Sequence, residues 1–562
     1  MTGSNKRTGG RILVDQLLVH GVEHAFCVPG ESYLAALDAF HDSPIHLTVC
    51  RHESGAAMMA EAHGKLTGQP GICFVTRGPG VTNASAGLHI AQQDSTPMIL
   101  FVGQIDRASK GRDAFQEVDF GTAFGSLVKW AVEIDDVERI PEIVGRAFHV
   151  AANGRPGPVV VALPEDVLAA LATVGDARRF QIHETATRPA DLTTIKAMLA
   201  KAARPLVIAG GSRWDQQAVD QLVGFAERFE LPVAVSFRRQ SLFPASHANY
   251  VGDIGVGANP ALIDYAKSAD FVLLLGGRMS ESPSQRYTLY DVPVPSQTFV
   301  HVHPGEGELG RVYQADLAIN VSPRSFCESL AGLSPDAAPN RAGFVRDGRA
   351  IYDRWSLKPT NVPGALNPGE IVARLREELP KDAIICNGAS NYATWVHRFY
   401  RWEQFGTQLA PISGSMGYGV PAAVGASRLD PNRTIVAFAG DGCFMMTGQE
   451  LATAVQYDLP VIIVILDNSM FGTIRMHQEN HYPGRVTATA LRNPDFALMS
   501  KAYGGYGETV RTTEDFMPAF RRAKASGKPS ILHCILDQEA ITPARTLSSY
   551  RDAALDRQSR QG

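Results

Sequence analysis

Apolar runs of strand length alternate with stretches whose apolar positions recur at helical spacing, almost from end to end of this 562-residue chain. The runs that read as strands are His24–Val28, Gly71–Val75, Met98–Val102, Val159–Ala162, Pro205–Ala209, Phe271–Leu275, Thr298–Val302, Ala383–Cys386, Thr434–Ala439, Val461–Leu466 and Ser530–Ile535. An amphipathic helix carrying Ile12, Leu13, Leu17 and Leu18 opens the series. Strands that are apolar throughout and separated by helices predict parallel sheets covered on both faces.

Two polar stretches break the alternation. Asp176–Pro189 reads as a linker, and so does Ser334–Asn367, within which Ala342–Trp355 has helical character. The domains expected from these breaks are 8–175, 190–335 and 365–545, followed by a polar tail at 546–562 that is expected to be mobile. The first and third blocks match in size and pattern, so two related sheets should flank a third. The predicted fold class is α/β, with three doubly wound parallel-sheet domains.

Composition narrows the function classes. The net charge of −4 is spread over the whole length, and no Lys/Arg run stands out, so a nucleic-acid surface is not expected. No apolar run reaches the roughly 18–20 residues needed to span a membrane. The polar opening, Met1–Gly10, has no apolar segment of the secretory kind. Seven cysteines lie singly, with no CxxC pair, which fits reduced thiols in a cytoplasmic protein.

The clearest chemistry lies in the third block. Gly440-Asp441-Gly442 ends one strand, a helix over Thr447–Tyr457 follows, and the next strand ends at Asp467-Asn468. A right-handed βαβ unit sets Asp441 and Asn468 at the carboxyl ends of neighbouring parallel strands, the edge where open α/β sheets bind ligands. A carboxylate and an amide oxygen are hard donors suited to Mg²⁺, and a helix start after a glycine turn offers N–H groups to an anion. Together these parts describe a seat for a metal-bound diphosphate. A lone Gly-Asp-Gly is an ordinary turn; the asparagine one crossover later gives it weight.

The segment from Gly440 to Asn468 resembles the diphosphate motif of thiamine-diphosphate-dependent enzymes. The first block carries the matching complement: Pro29-Gly30-Glu31, Arg51-His52-Glu53, Thr67-Gly68 and Arg77-Gly78-Pro79-Gly80-Val81-Thr82-Asn83 resemble the pyrimidine-binding domain of that superfamily. The resemblance covers nearly the whole chain and implies pyrimidine-binding, middle and diphosphate-binding domains in that order. It implies thiamine diphosphate and Mg²⁺ as cofactors, with Asp441, Asn468 and the Met470 carbonyl as metal ligands. Glu53 takes the catalytic position that shares a proton with the pyrimidine ring. Pro29, Gly30, Asn83, Gly440, Gly442, Cys443, Phe471 and Gly472 fall among the cofactor-binding positions. In Ser413–Gly419 the Gly414 carbonyl would accept from the cofactor amino group, and Met416 would wedge between its rings. Ala389, Ser390, Asn391 and Tyr392 would touch the diphosphate. In this family the two halves of each site come from different chains, so a homodimer or homotetramer is expected.

Within the superfamily the chain most resembles acetolactate synthase (acetohydroxyacid synthase) large subunits. Gln116, in Ala114-Phe115-Gln116-Glu117, stands where that family keeps a substrate-side Phe-Gln pair. Three departures stand out. Met470–Gln478 has no tryptophan; Met279–Ser282 and His301–Pro304 lack the acidic residues of flavin-containing members; and a histidine expected near Gly255–Gly257 is missing. These departures speak against a bound FAD. Arg475 and His477 are candidates for the substrate entrance. The implied reaction is decarboxylation of pyruvate or a similar 2-oxo acid and transfer to an acceptor. A 2-oxo-acid decarboxylase, a benzoin-type aldehyde lyase and a 2-hydroxyacyl-CoA lyase remain alternatives on the same scaffold. A non-catalytic binding homologue would not need Glu53, Asp441 and Asn468 together. A dinucleotide-dependent dehydrogenase would need G-x-G-x-x-G, which neither Gly210-Gly211 nor Gly276-Gly277 completes.

Overall fold

The computed structural model describes residues 6–560; the start of the polar N-terminal stretch and the last two residues of the tail lie outside the described residues. The chain forms two compact units. One ends at His183 and includes Val424–Asp430; the other holds Glu184–Ala423 and the chain from Pro431 onward.

The first unit contains one six-stranded parallel sheet: β1 (His24–Cys27), β2 (His46–Val49), β3 (Gly71–Val75), β4 (Met98–Gln104), β5 (Trp130–Glu133) and β6 (Pro158–Pro164), in the order β2-β1-β3-β4-β6-β5. The second unit contains two more. Its middle sheet runs β7 (Pro205–Ala209), β8 (Val233–Ser236), β9 (Tyr250–Ile254), β10 (Phe271–Leu275), β11 (Thr298–Val302) and β12 (Leu317–Ile319), ordered β9-β8-β7-β10-β11-β12. Its last sheet has β13 (Ile384–Asn387), β14 (Gln408–Leu409), β15 (Ile435–Gly440), β16 (Ile462–Asp467), β17 (Tyr506–Val510) and β18 (Ser530–Ile535), ordered β14-β13-β15-β16-β18-β17. The first and last sheets therefore share one topology, and the middle sheet has another. The three-domain α/β reading stands.

The central strands are buried on both faces, as their unbroken apolar runs require. In the first unit Phe74 stacks on Phe101 with ring centroids 4.8 Å apart, and Ile143, Val144, Ala147 and Phe148 turn one stripe of the helix Ile140–Ala152 onto the sheet. Helices Glu53–Thr67 and Pro79–Asp94 cross closely at Gly87, where an added Cβ would lie 2.4 Å from that of Ala57.

The sequence reading passed over β2, β5, β9, β12, β14 and β17, which are all edge strands, together with the inner β8. An edge strand has one neighbour and partial cover, so His, Trp, Glu and Gln dilute its apolar signal. The helix expected over Thr447–Tyr457 is shorter, Glu450–Gln456, with turns before it. The tail expected to be mobile instead forms the helix Leu547–Ser559. Leu547 is buried with Met470 and Ile541, and Tyr550 packs against that cluster.

The crossing at Gly87 yields a stability test. Gly87→Ala should lower the unfolding free energy by about 1–3 kcal/mol. Gly175→Ala, whose Cβ meets nothing within 4 Å, should leave the denaturation midpoint in place. Equal midpoints for the two variants would contradict the crossing.

Candidate active site

In the first unit, three neighbouring strand ends carry the first group of residues. After β1 the chain turns through Pro29 and Gly30, and Gly30 sits so close to Thr76 that a Cβ would lie 2.5 Å from its side chain. After β2 it reaches Glu53, the first residue of Glu53–Thr67, where His52 caps the helix by accepting from the Ser54 N–H. After β3 it passes Arg77 and Gly78 into Pro79–Asp94. Asn83, on the first turns of that helix, donates through Nδ2 to Glu53 Oε2 at 3.0 Å. The other carboxyl oxygen borders Gly80, 3.5 Å from where a Cβ would stand. Glu53 is thus held from one side and half-exposed on the other.

Gln116 lies in a loop laid over Gly78, with its Cβ 3.1 Å from a Cβ built on that glycine. Its φ of +63° is uncommon for a residue with a side chain, a strain often kept at functional positions. Phe115 beside it is 73% exposed, with the Arg77 guanidinium 5.9 Å from its ring centroid. Arg77 itself is paired with Glu31 (2.8 Å) and with Glu165.

The last sheet, in the second unit, carries the second group at the ends of β13, β15 and β16. The register pairs Gly440 with Leu466, so Asp441 and Asn468 follow adjacent strand ends, as the βαβ argument requires. Asp441 is 3% exposed and accepts from Asn493 Nδ2 (2.7 Å); the same Nδ2 donates to Asp467 (2.9 Å). Asp467 also accepts from the Ser469 N–H (2.7 Å) and from His533 Nε2 (2.9 Å). Burial above all, with the Asp467 charge adding to it, pushes the Asp441 carboxyl up to about 6 despite the bond from Asn493. Burial opposes ionisation of Asp467 too, but its bonds from His533, the Ser469 N–H and Asn493 outweigh that and hold its carboxyl below the usual range.

The loop after Asn468 is pinned on both sides. Leu491 N–H donates to Ser469 O and Phe471 N–H to Thr489 O, each at 2.9 Å, and Met470 bridges Ala490. Gly472 begins the helix Gly472–His481 with Asn468 Nδ2 only 3.0 Å from a Cβ built on it. Gly442 lies just as tightly under the Phe471 ring, 2.7 Å by the same measure. Thr473 ties this helix start to the loop after β13: its hydroxyl accepts from the Asn391 N–H (2.9 Å), donates to Asn391 Oδ1 (3.0 Å) and lies 2.9 Å from Ser390 Oγ. Ser390 holds a φ of +129° there, and Ala389 before it is buried. Cys443 accepts from the Gly417 N–H (3.1 Å) and lies 3.4 Å from the Tyr392 hydroxyl, which in turn accepts from the Gly388 N–H (2.8 Å). Gly414 is exposed at a φ of +70°, and Met416 is half-buried against the domain core.

The structure brings Ala389–Asn391, Gly440–Cys443 and Asn468–Gly472 together at one sheet edge, with Glu53 and Asn83 paired in the other unit. Arg475 is turned to Glu479 (3.0 Å), a buried carboxylate, while His477 is exposed. Among the described residues no three His, Cys, Asp or Glu side chains are arranged to hold a metal; the expected donor set needs one carboxylate, one amide and one carbonyl. Sequence reasoning missed Asn493 and His533, which shape the loops from outside any motif, and gave no role to Thr473; Tyr392 it placed beside Asn391 as a further diphosphate contact.

Models of known families match in the same places. The thiamine pyrophosphate enzyme N-terminal TPP binding domain matches residues 7–123, the central domain 192–330, and the C-terminal TPP binding domain 388–534. The chain belongs to the thiamine pyrophosphate enzyme family. Over almost its full length it is similar to acetolactate synthases. It is 31% identical to the large subunit of Parasynechococcus marenigrum (strain WH8102), across 93% of this chain and 87% of the relative. It is 32% identical to the large subunit of Lactococcus lactis subsp. lactis (strain IL1403), across 89% and 88%, and 29% identical to the isozyme 2 large subunit of Escherichia coli (strain K12), across 94% and 96%. The first and last domains of this thiamine pyrophosphate enzyme are accordingly its thiamine-diphosphate-binding domains.

The raised Asp441 carboxyl has a measurable consequence. The folded protein holds that proton more tightly than the unfolded chain, so stability is lost here as pH rises from 3.8 to about 6. Asp441→Asn keeps an oxygen for Asn493 and removes the buried charge. In metal-free protein it should raise the unfolding free energy by about 1–3 kcal/mol at pH 8 and by less at pH 4.5. Urea denaturation at both pH values measures this, and a gap that does not shrink in acid would refute it.

Proposed function

We propose that this protein is an acetolactate-synthase-like carboligase that decarboxylates pyruvate or a similar 2-oxo acid and passes the remaining carbons to an acceptor. The observation that carries this is the paired constellation itself: Glu53 held by Asn83 in one thiamine-diphosphate-binding domain, and Asp441 beside Asn468 in the other. Similarity to acetolactate synthases over almost the whole chain supports the reaction class.

The residues present suit the cofactor. A buried carboxylate that burial makes slow to ionise without a cation beside it, an amide oxygen and a backbone carbonyl at Met470 are hard donors fitted to Mg²⁺. The Gly472–His481 helix start gives N–H groups to a diphosphate, and the glycines at 440 and 442 let the turn beside it pack closely against the Tyr392 and Phe471 rings. When bound, thiamine diphosphate supplies a carbon centre that adds to a carbonyl and holds the electron pair left by lost CO₂. Glu53 is the group that holds and returns a proton at the pyrimidine ring, with Asn83 fixing its orientation. Gln116, kept in a strained backbone over Gly78, faces the substrate side, while Met416 supports the cofactor's bend and Gly414 O accepts from its amino group.

In this reading each site is completed across a homodimer, alone or within a homotetramer, with Glu53 from one chain and Asp441 from its partner. No flavin is required: the middle-domain turns Gly210-Gly211 and Gly276-Gly277 pack backbone to backbone, and His301 Nε2 lies 2.9 Å from the Gly277 carbonyl. Seven free, buried cysteines suit a reducing compartment such as the cytoplasm. No helix of the described residues is long and apolar enough to cross a membrane.

A second reading, a 2-oxo-acid decarboxylase or an aldehyde or hydroxyacyl-CoA lyase, rests on the helix after the metal loop, where an exposed Ile474 stands in a stretch without tryptophan. Product analysis with thiamine diphosphate, Mg²⁺ and a panel of 2-oxo acids, with and without aldehydes, separates the two. Acetolactate from pyruvate supports the synthase; aldehyde or acyloin alone supports the second reading. Glu53→Gln should keep the fold and lower turnover by about a hundredfold or more. Mixing and reassembling Glu53→Gln with Asp441→Asn chains should restore roughly a quarter of wild-type activity, because half the dimers are hybrids with one intact site. No recovery would place both halves of a site in one chain.

A further inference from the structure

Gln240, in the middle domain just past β8, is buried and hydrogen-bonded along its whole amide. Its backbone N–H donates to Gln408 Oε1 (2.7 Å), which turns Gln408 Nε2 toward Gln240 Oε1 (2.8 Å). That interlock fixes Gln240 Oε1 as an acceptor, so the proton shared with His397 Nδ1, 2.7 Å away, sits on the imidazole. Gln240 Nε2 is then left to donate to the His397 carbonyl (2.7 Å) and to Asp253 (3.2 Å). His397 Nε2 lies 3.1 Å from Asn387 Oδ1, whose Nδ2 donates to the Gly388 carbonyl (2.8 Å). Asn387 is fully buried and ends β13, directly before Gly388–Asn391.

Two residues earlier, Arg238 holds a φ of +58° and reaches through its guanidinium to the Pro411 carbonyl. Pro411 O also accepts from the Gly414 N–H at 3.1 Å, so it anchors the turn that leads to Met416. One short loop, Ser236–Gln240, therefore meets the cofactor-bending loop directly at Pro411 and reaches the base of the diphosphate loop through His397.

We propose that Gln240 and Arg238 are positioning residues, and that through them the middle domain holds the cofactor cradle in register. The inference rests on the thiamine-diphosphate reading of that cradle. A strained arginine backbone and an amide oriented by four partners are more than a domain contact requires. Positioning residues of this kind act on cofactor affinity before they act on chemistry.

The test compares Gln240→Leu, Gln240→Glu and, as a control, Arg228→Lys, whose parent side chain bonds the Leu330 and Leu333 carbonyls within the middle domain. Gln240→Leu should raise the thiamine diphosphate concentration for half-saturation about tenfold, at fixed Mg²⁺, with kcat at saturating cofactor and KM for the 2-oxo acid little changed. Gln240→Glu, which keeps the acceptor for Gln408 and His397 but sets an oxygen against the His397 carbonyl and Asp253, should not recover the loss, and the control should not move. In cofactor-free protein, Gln240→Leu should speed amide hydrogen exchange over 387–391. Unchanged half-saturation with unchanged exchange overturns the proposal, and so does a fall in kcat alone. A wild-type chain that binds no thiamine diphosphate defeats the functional reading instead, and the exchange experiment then decides the positioning role by itself.

Discussion

Asp441 and Asp467 are buried carboxylates on adjacent strand ends, and one amide group, Asn493 Nδ2, donates to both. Two acids so placed repel each other unless something positive or hydrogen-bonding lies between them. The protein divides the burden unevenly. Asp467 collects the bonds from His533 and the Ser469 N–H and stays ionised; Asp441 is left with the weaker support and a raised proton affinity. The ionised Asp467 holds the Ser469 turn, and so the path of Asn468–Gly472. Asp441, less satisfied, is the better placed to gain from a cation. The order of the loops and the reactivity of the site thus come from the same pair.

The sheet topologies explain where these loops can be. In β2-β1-β3-β4-β6-β5 and β14-β13-β15-β16-β18-β17 the strand order reverses between β1 and β3, and between β13 and β15. Loops that leave such neighbouring strands in opposite directions open a crevice at the carboxyl edge. Pro29-Gly30 and Arg77-Gly78 lie at the first reversal, and Gly388–Asn391 and Gly440–Cys443 at the second. The glycines there answer a spacing requirement: Gly30 faces Thr76, and Gly440 faces the Tyr392 ring at 3.0 Å. Any side chain would fill the crevice from within.

What was legible in the sequence follows from this geometry. Inner strands such as Phe271–Leu275 and Gly71–Val75 stand where their apolar runs put them, because burial on both faces leaves no polar positions. The placement of Asp441 and Asn468 after strand ends, and of Glu53 and Asn83 on their helix starts, could be read because each stands at a fixed place in a short motif. The residues that bond Asp441 and Asp467 could not. Asn493 and His533 reach Asp441 and Asp467 from distant parts of the chain, and nothing local to Arg492-Asn493-Pro494 or to the strand Ser530–Ile535 marks them. The C-terminal helix was missed for a related reason. Its buried residues are a sparse pair, Leu547 and Ala554, and Leu547 gains meaning only against Met470 and Ile541.

The middle sheet shows why topology alone does not carry function. Its order, β9-β8-β7-β10-β11-β12, is the dinucleotide-binding one, with the reversal between β7 and β10. At that reversal the Gly211 Cα is so near the Gly276 carbonyl that a Cβ would lie 1.8 Å from its oxygen, and Trp214 Nε1 donates to Gly210 O at 2.8 Å. Backbone and an indole fill the turn at this reversal. On the proposed reading the domain works instead through the strand beside the reversal: β8 leads into Arg238 and Gln240, whose side chains reach the last domain. A fold suited to hold a nucleotide then serves to hold the loops that hold the cofactor, and the difference lies in a few side chains at one strand end.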